Sequence, residues 1–185
     1  AANRDHVFPA PSTTPTLIVT AKNLDRAAIA KRAATGIKVT SAPETRWQRR
    51  DIKSVNLLPN VLARQAAKEK GAFEAWFVDE HGLVTEGTSS NAWIVDASGV
   101  IRTRALSHDI LHGVTRGAVL KIAQERQMKV EERPFTIEEA KTAREAFITA
   151  ASNAATAVIE IDGVRIGDGK PGPVTEALRA AYLGA

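Results

Sequence analysis

The chain has 185 residues, 44% of them hydrophobic, and a formal net charge of +4. That length makes one domain, or one domain plus part of another, with enough apolar content for a packed core and no apolar run near the ~18 residues of a membrane span. There is no cysteine, which excludes a disulfide framework, a thiolate metal site and a cysteine nucleophile together.

The opening residues, Ala1 to His6, lack the charged-then-apolar pattern of a secretory signal. The single methionine is Met128, so a processed start or a longer parent protein is expected. Residues 7–14 are Pro-rich and extended. Thr16–Thr20 reads as a β-branched strand, Leu24–Ala34 as a short helix capped by Asn23, and Ile37–Thr40 as a strand. The basic loop Arg46-Trp47-Gln48-Arg49-Arg50 follows, then Asp51-Ile52-Lys53-Ser54. Leu57–Lys70 is a helix with Leu58, Val61, Leu62, Ala66 and Ala67 on one face and Gly71 at its end.

Ala72–Val78 and Leu83–Glu86 pair across Glu80-His81-Gly82, and Asn91–Asp96 and Val100–Thr103 across Ala97-Ser98-Gly99. Thr115–Arg126 is a second amphipathic helix. Met128–Glu132 is a strand, and Thr136–Thr142 a short helix with Thr136 and Glu139 placed for a capping box. Strands at Ala146–Thr149 and Thr156–Ile161, a turn at Asp162-Gly163 and a helix over Pro173–Leu183 complete the chain. Helices and strands mix without regular βαβ alternation, so the class is α+β. Apart from the Arg46–Arg50 loop the basic residues are spread out, with no stacking pattern of interleaved aromatics, so the charge reads as solubility and argues against nucleic acid, and the four histidines show no metal-ligand spacing.

The chemistry starts at Lys53. Most lysines are solvated, but Ile52, Val55, Leu57 and Leu58 flank this one, so the segment is expected to be buried. A desolvated amine loses its charge readily and attacks carbonyls. Glu86 alone is a strand-end carboxylate; beside a pyridine-ring cofactor it could hold the ring-nitrogen proton. Gly113-Val114-Thr115-Arg116 opens a helix whose free amides suit an anion, and the turn after Thr149 offers a second set. Taken singly, both read as ordinary cap and turn chemistry. Ser107-His108-Asp109 cannot form a hydrolase relay, because consecutive residues do not reach the required geometry.

Together, Glu86-Gly87-Thr88-Ser89-Ser90-Asn91-Ala92-Trp93, Ile101-Arg102-Thr103 and Leu111-His112-Gly113-Val114-Thr115-Arg116 closely resemble the signature of the class IV aminotransferases. These are the fold type IV enzymes that use pyridoxal 5′-phosphate. Trp93 stands where the pattern has Phe or Tyr and is expected in the core. Arg4-Asp5-His6 before Phe8-Pro9 resembles the carboxylate-binding motif of the D-amino-acid branch. An arginine fork there grips a carboxylate.

The resemblance implies a mixed-sheet pseudo-barrel with surrounding helices. Lys53 is then covalently joined to the cofactor and moves the substrate proton. Glu86 pairs with the ring nitrogen and Leu111 packs on the ring. Val114 and Thr115, with Ala150 and Ala151 through backbone alone, hold the phosphate. Arg4 and His6 take the substrate carboxylate. It further implies a homodimer with shared sites, acting on amino and 2-oxo acids; a cytoplasmic location and no metal are also expected. Branched-chain aminotransferases and aminodeoxychorismate lyases share the lysine, glutamate and phosphate turns, and are the alternatives. The family has a smaller domain before the Arg-x-His strand. Residues 1–25 are therefore expected to be that domain's tail and 26–185 the cofactor domain, and a chain of this extent alone could bind cofactor without turning over.

Overall fold

The computed structural model describes residues 5–184. Residues 5–25 carry neither helix nor strand, and Leu17, Ile18 and Val19 of the expected strand are 79–86% exposed. β-Branched residues make a strand only against a partner, and no described strand pairs with this segment. From there the elements run α1 (Arg26–Thr35), β1 (Ile37–Pro43), α2 (Leu58–Glu69), β2 (Glu74–Val78), β3 (Val84–Gly87), β4 (Asn91–Val95) and β5 (Ile101–Thr103). They continue with α3 (Val114–Glu125), β6 (Val130–Glu132), α4 (Ile137–Lys141), β7 (Glu145–Ala150), β8 (Ala154–Ile161), β9 (Val164–Arg165) and α5 (Pro173–Gly184).

Local chemistry sets several boundaries. Asp25, not Asn23, caps α1, accepting from the Ala28 amide at 2.9 Å. Thr136 and Glu139 form the expected capping box of α4. Asp162 and Gly163 both take positive φ (50° and 80°), the pairing a two-residue hairpin turn demands.

The strands join in the order β3-β2-β1-β8-β7-β4-β5-β6, with β9 on β8. β1 runs parallel to β2 and β8, and β5 parallel to β6, while β4, β7 and β8 are antiparallel neighbours. The central strands are buried on both faces, so their side chains divide by parity. Ala92 and Ile94 of β4, with Ala146 and Ile148 of β7, join Val39, Trp76 and Val84 in one cluster inside the curled sheet. Trp93, Val95 and Phe147 point the other way and pack with Val119 of α3 and Leu178 of α5. The Trp93 and Phe147 rings stack at 5.4 Å and 9°, and the indole N–H donates to Thr149 Oγ1 at 2.9 Å. Each fully buried side chain of this size contributes about 1.5–3 kcal/mol.

The expected apolar face of α2 does not join either cluster. Leu58, Val61 and Leu62 are 59–66% exposed, and Ala67 alone of its residues is buried. The helix meets the sheet through its small residues and leaves its large ones outward.

The register then assembles one end of the sheet. Asn91 at the start of β4 faces Thr149 near the end of β7. The end of β3 reaches the same place through the tight Thr88–Ser90 connection, closed by the Gly87 amide on the Ser90 carbonyl at 2.8 Å.

Candidate active site

A cleft of about 530 Å³ opens at this end of the sheet, within the usual size of a small-molecule site. Lys53, Glu86, Leu111, Val114, Thr115, Ala150 and Ala151 all line it. They come from the β1–α2 loop, the end of β3, the loop before α3, the first turn of α3, and the end of β7 with its following turn. The sheet register brings together residues nearly a hundred positions apart.

Glu86 forms the floor and is 4% exposed. Its Oε1 accepts from Arg46 Nη1 at 2.6 Å, and its Oε2 from Asn91 Nδ2 and the Leu111 amide, each at 3.0 Å. Arg46 is shared. It also grips Glu44 in a fork at 2.6 and 2.9 Å and lies over the Phe77 ring at 4.4 Å. One cation thus serves two buried carboxylates. Burial pushes the Glu86 carboxyl up to about 7, with the Glu44 charge adding to the rise and the Arg46 charge and hydrogen bonds only partly offsetting it. At Glu44 burial also raises the value, but Arg46 outweighs it and the net direction is down.

A stability prediction follows from Glu86. The folded chain keeps a proton on it that the unfolded chain releases near 4.5, so its contribution is fully present below 4.5 and lost as pH rises through about 7. Between pH 4.5 and 8, the urea stability of cofactor-free protein should shift in favour of Glu86→Gln over the parent by about 3 kcal/mol. A pH-independent difference would place the Glu86 carboxyl at its ordinary value.

At the other end, α3 starts with Gly113 as N-cap and no side chain capping its first amides. The amides that begin at Val114 are therefore free for an anion. A Cβ on Gly113 would sit 2.2 Å from Asn91 Oδ1, so this close approach of loop and strand requires glycine. Asn91 ties the two ends together, donating to both Glu86 Oε2 and the Leu111 carbonyl at 3.0 Å.

Lys53 lies on the lip of the cleft and is exposed. The expected burial of its segment is not found: Ile52 is 44% exposed and Val55 97%. The segment crosses from β1 to α2 as an open loop, with nothing described packed over its apolar side chains. His6 is exposed and lies away from the cleft lining. Arg4 falls outside the described residues. Ser107-His108-Asp109 forms no relay. Asp109 pairs with Arg104 at 2.8 Å, and the His108 carbonyl accepts from the Arg50 amide.

Sequence reasoning passed over Glu44, Arg46 and Arg50. The basic loop read as solvated charge, yet the Arg46 and Arg50 side chains are only 8% and 10% exposed. The available signal was the acid-base alternation Glu44-x-Arg46 at a strand end. It also passed over Glu74, fully buried, which accepts from Thr88 Oγ1, the Ser89 amide, Ser89 Oγ and Ser90 Oγ at 2.5–2.9 Å. One carboxylate thereby fixes the whole hydroxyl turn beside Glu86.

Residues 2–161 match the family described as amino-transferase class IV. A D-alanine aminotransferase of Staphylococcus aureus is 38% identical over 182 residues, 98% of this chain and 63% of that protein. One of Bacillus licheniformis is 42% identical over 151 residues, 82% of this chain and 53% of that protein. Among solved structures, a T.th. branched-chain amino acid aminotransferase complexed with N-(5′-phosphopyridoxyl)-L-glutamate superposes with a TM-score of 0.74 at 31% identity, covering 83% of this chain and 52% of that one. The chain spans about 63% of the length of the Staphylococcus aureus relative and 53% of the Bacillus licheniformis one.

Proposed function

The chain belongs to the class IV aminotransferases, and we propose that it forms the pyridoxal-phosphate site of an enzyme that transfers amino groups between D-amino acids and 2-oxo acids. D-alanine with 2-oxoglutarate, giving pyruvate and D-glutamate, is the reference pair. The observation that carries the reading is the single cleft lined by Lys53, Glu86 and the uncapped start of α3. The residues present fit the cofactor: a buried carboxyl at one end for a ring nitrogen, free amides at the other for a phosphate, and an amine on the lip.

Pyridoxal phosphate supplies a carbonyl for the amino group and a conjugated ring that takes up the electron pair left at Cα. The protein's residues do the rest. Lys53 would provide the amine that holds the cofactor in the resting protein and, when free, the base that moves the proton at Cα. Glu86 would hold the proton at the ring nitrogen from the buried floor of the cleft. Leu111 would lie against the ring, and Val114, Thr115 and the backbone at Ala150 and Ala151 would hold the phosphate.

Residues 26–185 make up the cofactor domain in this reading, and residues 1–25 the tail of a preceding one. Arg4 and His6 reach a partner's cleft to take the substrate carboxylate, and the protein works as a cytoplasmic homodimer. The outward apolar face of Val55, Leu57, Leu58, Val61 and Leu62 supports a covered surface beside the cleft, since patches of this kind mark interfaces. Among the described residues no helix is long and apolar enough to cross a membrane.

The D-amino-acid branch rests on the names of the curated relatives and the Arg4-Asp5-His6 motif. The branched-chain reading is kept because of the solved neighbour. The intact protein, loaded with cofactor, should lose its visible absorbance band on addition of D-alanine and keep it with L-alanine or L-leucine. Bleaching by L-leucine alone would move the chain to the branched-chain branch.

A further inference from the structure

Arg50 is not used by the reading above. Its backbone is fixed, the amide donating to the His108 carbonyl at 2.9 Å. Its side chain lines the same cleft as Lys53 and Glu86 and is nine-tenths buried. Two carboxylates flank it, and neither forms a hydrogen bond with it. Glu44 Oε2 is 3.7 Å from Nε, and Asp109 Oδ1 is 3.7 Å from Nη2. Both are committed elsewhere, Glu44 to Arg46 and Asp109 to Arg104. Among the described residues, Nε and Nη1 are buried with no hydrogen-bond partner.

An unmatched buried donor is costly, and a guanidinium fork is built to take oxygen anions in its plane. Nε and Nη1 are closed off from solvent, so Nη2, which has no hydrogen-bond partner among the described residues and is held 3.7 Å from Asp109, is the donor that a molecule in the cleft meets first. The neighbouring carboxylates hold it in place by charge without saturating it.

We propose that Arg50 is an anion-recognition residue of this cleft, pairing with an anionic oxygen that a bound molecule brings beside Lys53. The oxygen has two possible sources: the ionised ring hydroxyl of the cofactor, or the distal carboxylate of a dicarboxylic oxo acid. The proposal rests on the cofactor reading. No step of bond-making is assigned to Arg50. It positions and selects.

The test compares the intact protein with Arg50→Met and Arg50→Lys. Equilibrium dialysis with pyridoxal phosphate and its 3-O-methyl ether addresses the ring oxygen. Arg50→Met should erase about tenfold or more of the parent's preference for the free hydroxyl, and Arg50→Lys should restore part of it. Competition by 2-oxoglutarate and pyruvate for the loaded protein addresses the carboxylate, and there Arg50→Met should lower the 2-oxoglutarate preference about tenfold or more.

A change in either arm supports the proposal and names the source. No change in both overturns it, provided the parent binds the cofactor. Failure of the parent to bind overturns the cofactor reading instead. Because its donors are unmatched, Arg50→Met should also leave the urea midpoint unchanged or raised. A collapsed fold would make Arg50 a structural brace and overturn its role in recognition.

Discussion

Replacing Lys53 by Ala should cut transamination by the intact protein by about 10³-fold or more and abolish covalent retention of cofactor. Among the described residues, Lys53 is the one lysine lining the cleft. Its loop is stapled at the upstream end, where Arg50 bonds the His108 carbonyl and Ile52 the Arg49 carbonyl, and at the downstream end by the start of α2 with Pro59 in its first turn. The amine is therefore presented from a short tether between two fixed points. Lys53→Arg should not restore turnover, because a guanidinium stays protonated and is no nucleophile at neutral pH. Retention of more than about a tenth of the parent rate in either variant is incompatible with the group-transfer role.

The second large effect is on stability. Arg46→Ala should destabilise the cofactor-free protein by about 3–5 kcal/mol at pH 8, read from urea unfolding. Both carboxylates that Arg46 serves are 5–6% exposed, so removing the shared cation strands two buried charges. The loss should shrink as pH falls. In the parent, Glu44 titrates below its ordinary value, so its stabilisation is present above 4.5 and fades on acidification. In the variant both carboxyls escape the penalty by taking up protons. A cost below about 1 kcal/mol at pH 8 would mean that the triad is solvated like a surface pair.

The contrast between Lys53 and Arg46 shows what the sequence made legible. Lys53, Glu86 and the Gly113 turn stood out because each is an odd residue at the end of a patterned segment. The patterns themselves, the apolar runs of β4 and β7 and the helical spacing in α3, are local properties of the chain. The capping box of α4 and the Asp162-Gly163 hairpin were legible for the same reason.

The Glu44-Arg46-Glu86 triad was not, because Arg46 and Glu86 are 40 residues apart and meet only once β1, β2 and β3 lie side by side. From the sequence its arginine is indistinguishable from its solvated neighbour Arg49, whose side chain is 48% exposed. Burial around Lys53 was misjudged by the converse error. Apolar spacing at Ile52, Val55, Leu58, Val61 and Leu62 tells that a surface wants covering, but not that the cover belongs to this fold. The Thr16–Thr20 segment fails in the same way, since β-branched residues state a preference for pairing and not the partner.

The central claim is that Lys53 is the attachment point of pyridoxal phosphate in the cleft floored by Glu86. The direct measurement is borohydride reduction of the intact protein in the presence of pyridoxal phosphate, followed by proteolysis and mass spectrometry. The account predicts a single pyridoxyl-bearing peptide with the modification on Lys53, absent from Lys53→Ala. Stoichiometric labelling at another lysine, or labelling of Lys53→Ala to the same extent as the parent, would contradict it.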